Sequence, residues 1–126
     1  MDDQLQSNEI PPLKGGAVFI AGLGVISAIG NNVAESLNAL TSGNAGIEAM
    51  KRLNSIHKEE LPVAEVKLTN EALADLAQLP SRISRTALLS TVAAKEALDN
   101  SGIDITRWRT GFISANSVGG MDKTED

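Results

Sequence analysis

Cysteine is missing altogether from this 126-residue chain. That absence excludes a disulfide scaffold, a thiolate zinc site and any cysteine nucleophile within these residues. Tyrosine is missing too, and His57 is the single histidine, so few side chains can act as general bases near neutral pH. Aromatic residues are limited to Phe19, Phe112 and Trp108. Cations are in deficit, with 11 Lys and Arg against 16 Asp and Glu for a formal charge of −5. This balance argues against a nucleic-acid surface, which is normally basic. No apolar run approaches the ~18 residues of a membrane span. The first sixteen residues (MDDQLQSNEIPPLKGG) lack the basic start and apolar stretch of a secretory signal. The expectation is a cytoplasmic protein with no nucleic-acid or membrane partner, no cofactor and no metal site.

What is present reads as one small α/β unit. Residues 1–16 carry Pro11, Pro12, Gly15 and Gly16 and are expected to form a flexible extension, leaving residues 17–126 as the folded part. Ala17 to Ala21 (AVFIA) is a continuous apolar run flanked by glycine, the signature of a strand buried on both faces. A glycine-spaced loop follows to Gly30. Asn32 and Glu35 then form a capping-box pattern for a helix with Val33, Leu37 and Leu40 on one face, closed by Gly43. Residues from Ala45 to Leu61 read mostly as loop, and Pro62 to Leu68 as a short or edge strand. Thr69 caps a helix over Asn70 to Leu79 that Pro80 stops. Ser81 opens the longest helix, roughly Ile83 to Ser101, which is rich in alanine and ends at Gly102; its small side chains predict a buried central helix. Gly111 to Ala115 (GFISA) is a second buried-type strand, running into the turn at Gly119 and Gly120. Two or three strands seldom sustain an α/β layer alone, so the chain reads as an unfinished fold.

Candidate chemistry is sparse. Gly22, Gly24 and Ser27 fall one glycine short of a dinucleotide fingerprint, and the following helix starts several residues late. The acidic residue expected about twenty positions on is not clearly present, and Glu48 sits in unpatterned sequence. Glycines needed for a tight turn and close packing are the better reading. His57 has no ligand or triad pattern around it and reads as a solvated loop residue. Lys58 to Glu60 and Asp122 to Asp126 are solvated charge runs. Arg82 and Arg85 stand three apart on one helical face, suited to an anion, a partner's carboxylate or ordinary surface ion pairs. Ser114 and Ser117 lie outside any G-x-S-x-G elbow and have no base beside them. The residues alone supply no catalytic constellation.

Five pieces in order resemble the opening of the β-ketoacyl-acyl carrier protein synthases. VFIAGLGVISAIGNNVAE (18–35) is similar to the family's first strand and TGLG-type loop, and LTSGNAGI (40–47) to its L-x-x-G-x-S-G-I helix end. VAEV (63–66) resembles the next short strand, and SRTALLSTVAAKEALDNSGI (84–103) the long alanine-rich helix. RTGFISANSVGG (109–120) resembles the R-x-G-x-x-x-G-(S/T)-x-x-G-G strand and loop. The resemblance implies the N-terminal part of a thiolase-like fold, whose αβαβα halves hold a mixed or parallel sheet and a buried alanine-rich helix. It implies a dimer, homo- or heteromeric, served by acyl carrier protein in fatty-acid or polyketide-type synthesis. The parent reaction would be decarboxylative condensation of an acyl thioester with a malonyl thioester. The family's nucleophilic cysteine, two histidines and lysine would lie beyond Asp126, so this chain alone would be inactive. Val118 aligns with a branched apolar residue that borders and gates the acyl pocket; a valine there would admit a longer acyl chain. Asn116 and Ser117 depart from the small pair usual before that loop. Two other readings are a non-catalytic, chain-length-factor type partner subunit and a small nucleotide-binding α/β module.

Overall fold

The computed structural model describes residues 18–120. Ala17, the expected N-terminal extension and the charged run from Asp122 lie outside them. Three helices and one minimal sheet follow in order: α1 (Val33–Thr41), β1 (Glu48–Ala49), β2 (Pro62–Val63), α2 (Asn70–Ala77) and α3 (Arg85–Ser101).

Each helix is delimited by local hydrogen-bonding chemistry. At the start of α1 the Asn32 side chain accepts from the Glu35 amide at 2.8 Å. Glu35 reaches back one residue further than a capping box requires, to the Asn31 amide at 2.8 Å. At its end, Gly43 takes φ 69°, the Gly43 amide donates to Leu40 and the Asn44 amide to Ala39, a Schellman closure. Thr69 caps α2 by accepting from the Ala72 amide at 3.1 Å. That helix closes the same way two residues before the expected Leu79, because Gln78 adopts the left-handed conformation at φ 56°. α3 begins later than expected: the capping side chain is Ser84, which accepts from the Ala87 amide, and not Ser81. Gly102 ends it with φ 64°.

The core is the α2–α3 contact. Leu73, Ala74 and Ala77 from α2 meet Leu88 and Val92 from α3, with Ile26, Leu68, Leu79, Ile83 and Leu89 packed around them. The expected central helix is therefore only partly buried: Leu88 and Val92 are its buried residues. In α1 the buried residues are Ser36 and Ala39, while Leu37 and Leu40 of the predicted apolar face point to solvent.

The largest departure from expectation concerns strands. Neither residues 18–21 nor 111–115 belong to a strand ladder. Both are open to solvent, with Val18 93% and Ile113 95% exposed. A strand of the buried type needs neighbours on its edges and a layer on its second face, and the described residues supply only a helix on one side. The expected mixed or parallel sheet is likewise not formed; the sheet among the described residues is the antiparallel pair β1–β2, with Glu48 opposite Val63 and Ala49 opposite Pro62. Its first strand lies in the stretch read as loop, and its second stops at Val63 instead of Leu68. The reason is visible in the bonding. Glu65 turns its carboxylate onto the amides of Lys51, Arg52 and Leu53. The carbonyls of Val66 and Leu68 accept from the Arg85 guanidinium at 2.9 and 3.0 Å, so they face a side chain and not a neighbouring strand. No helix among the described residues is long and apolar enough to cross a membrane.

Candidate functional site

The most tightly built region is the seat of the 22–33 loop on the second half of α3. A β-carbon added at Gly22 would run into the Ala97 carbonyl and lie 2.8 Å from the Ser101 amide nitrogen. One added at Gly24 would strike the Ala93 carbonyl and lie 2.7 Å from the Ala97 nitrogen. These contacts are helix backbone, which has little freedom to give. The glycines therefore serve close packing, as the sequence reading favoured. The backbone of α3 lies directly against both glycines.

Two polar side chains of α3 fasten this loop. Glu96 accepts from the Val25 amide at 2.9 Å and from the Val33 amide at 2.8 Å, so one carboxylate holds both ends of a loop and one orphan donor of α1. Asn100 donates to the Leu23 carbonyl at 2.9 Å. Within the loop, the Ser27 amide donates to the Gly30 carbonyl at 2.9 Å, and Gly30 lies so close to Ser36 that any side chain would meet its backbone. Sequence reasoning missed Glu96 and Asn100. The available signal was their spacing: Ala93, Glu96, Ala97 and Asn100 recur at helical period and so share one face.

A second polar cluster surrounds the β1–β2 pair. Glu48 bonds Lys51 at 2.7 Å and Lys67 at 2.8 Å, and these hydrogen bonds, Lys51's first, lower its pKa to about 2. Glu65 feels desolvation that raises its pKa, but the bonds from the Leu53, Lys51 and Arg52 amides outweigh it and the net shift is downward. Arg52 donates to the Lys67 carbonyl. Every charge here is engaged in holding the 48–68 segment together.

The other sequence candidates separate in space. His57 pairs with Glu60 at 3.0 Å in an exposed turn, as a solvated loop histidine would. Arg85 is half-buried and also donates to Asn70 at 2.8 Å, so it braces the entry to α2, while Arg82 lies before α3 and is exposed. They do not form one anion site. An open cleft of about 290 Å³ lies between the first half of α3 and the 112–120 segment, with Ser84, Ser90, Thr91, Phe112, Ser114 and Asn116 in its wall. Its wall holds no ionisable side chain, and Val118 is exposed and outside it. Ser117 is exposed as well. Among the described residues no group of three His, Cys, Asp or Glu is placed to hold a metal ion.

Comparison with known proteins gives two relatives. Over 108 residues the chain is 30% identical to 3-oxoacyl-[acyl-carrier-protein] synthase 2 of Coxiella burnetii, covering 82% of this chain and 26% of that protein. Over 110 residues it is 26% identical to 3-oxoacyl-[acyl-carrier-protein] synthase 1 of Buchnera aphidicola, covering 84% of this chain and 27% of that protein. No family model matches, and no solved structure matches significantly. The chain thus spans about a quarter of the length of the curated relatives it matches, and over that quarter it is similar to the 3-oxoacyl-[acyl-carrier-protein] synthases.

Proposed function

We propose that this chain is the N-terminal portion of a 3-oxoacyl-[acyl-carrier-protein] synthase of thiolase-like fold, with a scaffolding role and no catalysis of its own. The parent would move an acyl group from a carrier-protein thioester to a cysteine. It would then join that group to a malonyl thioester with loss of carbon dioxide. Acyl carrier protein and a second synthase subunit would be the partners. One observation carries this reading: the glycine loop and the alanine-rich helix, which bear the resemblance most fully, pack against each other so closely that neither glycine tolerates a β-carbon. The two motifs lie far apart in sequence and meet in space. The synthase names of the two relatives support the same reading.

Segment replacement tests it. The matching quarter of the Coxiella burnetii enzyme is exchanged for residues 17–121 of this chain, and malonyl-dependent condensation is measured. Retained condensation by the chimera, with none by this chain alone, is the expected result. A soluble chimera that folds but has lost all condensation refutes the proposal. In the same chimera Val118 would border the acyl pocket, and Val118→Phe would shift product distribution to shorter chains. An unchanged distribution removes Val118 from the pocket wall.

A further inference from the structure

We propose that residues 47–65 form a self-latched arm that opens as one unit while the α2–α3 core stays folded, with the Glu65 carboxylate as the latch. Three observations converge on this device. First, the arm's polar bonds close on themselves. The Lys51, Arg52 and Leu53 amides donate to Glu65 at 2.9, 3.0 and 2.8 Å, and His57 pairs with Glu60. Glu48 binds Lys51 and Lys67. Among the described residues, no hydrogen bond or ion pair ties 47–65 to a helix. Second, the apolar core leaves the arm out: none of the side chains gathered at the α2–α3 contact comes from 47–65. Met50, 6% exposed, is the arm's buried side chain and lies outside that core. Third, both roots are fixed. A β-carbon on Gly46 would come within 2.7 Å of Ala28, and the Lys67 ammonium holds the Gly46 carbonyl at 3.1 Å. At the other root Arg85 grips the Val66 and Leu68 carbonyls. Few buried apolar contacts and solvent-exposed bonds define a segment that opens locally. What shuts it follows from relative strengths. A two-stranded ladder of two residues a side is marginal by itself, and exposed ion pairs such as those of Glu48 contribute little. Three amides converging on one carboxylate are charge-assisted and stronger, so Glu65 outweighs Glu48. The inference is independent of the synthase reading, since it rests on bonds inside the chain.

Oxidation of Met50 by dilute hydrogen peroxide tests the proposal on the full chain. The thioether takes one oxygen and the peroxide leaves as water, a reaction open only while the arm is open. Peptide-resolved mass spectrometry gives its rate, and division by the rate in the urea-unfolded chain gives the open fraction. Hydrogen exchange at the Leu88 and Val92 amides gives the same quantity for the core. In the parent chain the open fraction at Met50 should exceed that of the core by about tenfold or more. Glu65→Gln should raise Met50 oxidation by about tenfold or more and leave core exchange unchanged, whereas Glu48→Gln should raise it less than about threefold. Salt at 1 M, which screens exposed ion pairs, reads the same distinction without a variant and should accelerate oxidation less than about threefold. Equal open fractions at Met50 and in the core would overturn the proposal, because the arm would then open only with the whole molecule. Oxidation unmoved by Glu65→Gln, or moved as far by Glu48→Gln or by salt, would overturn the assignment of the latch.

Discussion

Replacing Gly24 with alanine should release the 22–33 loop from α3 while leaving the α2–α3 core in place. The new methyl carbon would strike the Ala93 carbonyl and lie 2.7 Å from the Ala97 nitrogen. Neither atom can retreat without breaking a turn of helix. Overpacking of this kind costs about 1–3 kcal/mol. Relief by lifting the segment forfeits the bond from Val25 to Glu96 and strains that from Asn100 to Leu23, each worth about 1 kcal/mol at a half-exposed site. A net loss of about 2–3 kcal/mol follows, which should raise amide exchange at Val25 by about 30–150-fold. Site-resolved hydrogen exchange reads this directly, with Leu88 and Val92 in the core as unchanged internal references. Gly111→Ala is the control, because nothing lies within 4 Å of a β-carbon there, and its effect should stay within about 0.5 kcal/mol of zero. Exchange at Val25 in Gly24→Ala equal to that in Gly111→Ala would refute the argument that close approach selects glycine in this loop.

Other consequences are equally measurable. Gln78 holds φ 56° at an exposed helix end, so Gln78→Gly should stabilise the chain by about 0.5–1 kcal/mol in urea unfolding; a loss of stability would contradict it. Arg85→Lys should cost about 2 kcal/mol, because one ammonium cannot serve the Val66 and Leu68 carbonyls and Asn70 together, and an unchanged urea midpoint would argue against the brace. For Glu48, a carboxyl lowered to about 2 contributes stability fully above its ordinary value of 4.5, and that contribution is lost as pH falls through the window toward 2. The thermal midpoint should therefore fall less steeply across that window in Glu48→Gln than in the parent; an identical slope would show that the two lysines do not act through Glu48.

Helix ends were legible from sequence and strands were not, for a physical reason. Asn32, Thr69, Gly43 and Gly102 act on amides and carbonyls within a few residues of themselves, so their roles are written locally. Even there Ser81 reads as opening the longest helix, and the structure places the cap at Ser84. A strand exists only where another segment meets it. AVFIA and GFISA carry the right side chains, yet pairing depends on distant surface that the described residues do not contain. The β1–β2 pair shows the converse, since Glu48 and Ala49 carry no strand signal and pair because Glu65 gathers the 51–53 amides beside them. In the candidate site the packing role of Gly22 and Gly24 was readable. Glu96 and Glu65 were not, nor was the bracing role of Arg85, because each acts on backbone at least a dozen residues away.

The bond from Glu96 to the first amide of α1 spans 63 positions, and that separation orders events in time. A ribosome adding about 5–20 residues per second would expose the Val33 amide some 3–12 s before the carboxylate that receives it has been made. Throughout that interval α1 lacks its remote anchor, and the 18–24 segment has no helix to lie on. The nascent chain therefore carries its most apolar, charge-free stretch undocked until α3 emerges. Slowing elongation between positions 33 and 96 would lengthen that window, and chaperone capture of the nascent N-terminus should increase in proportion.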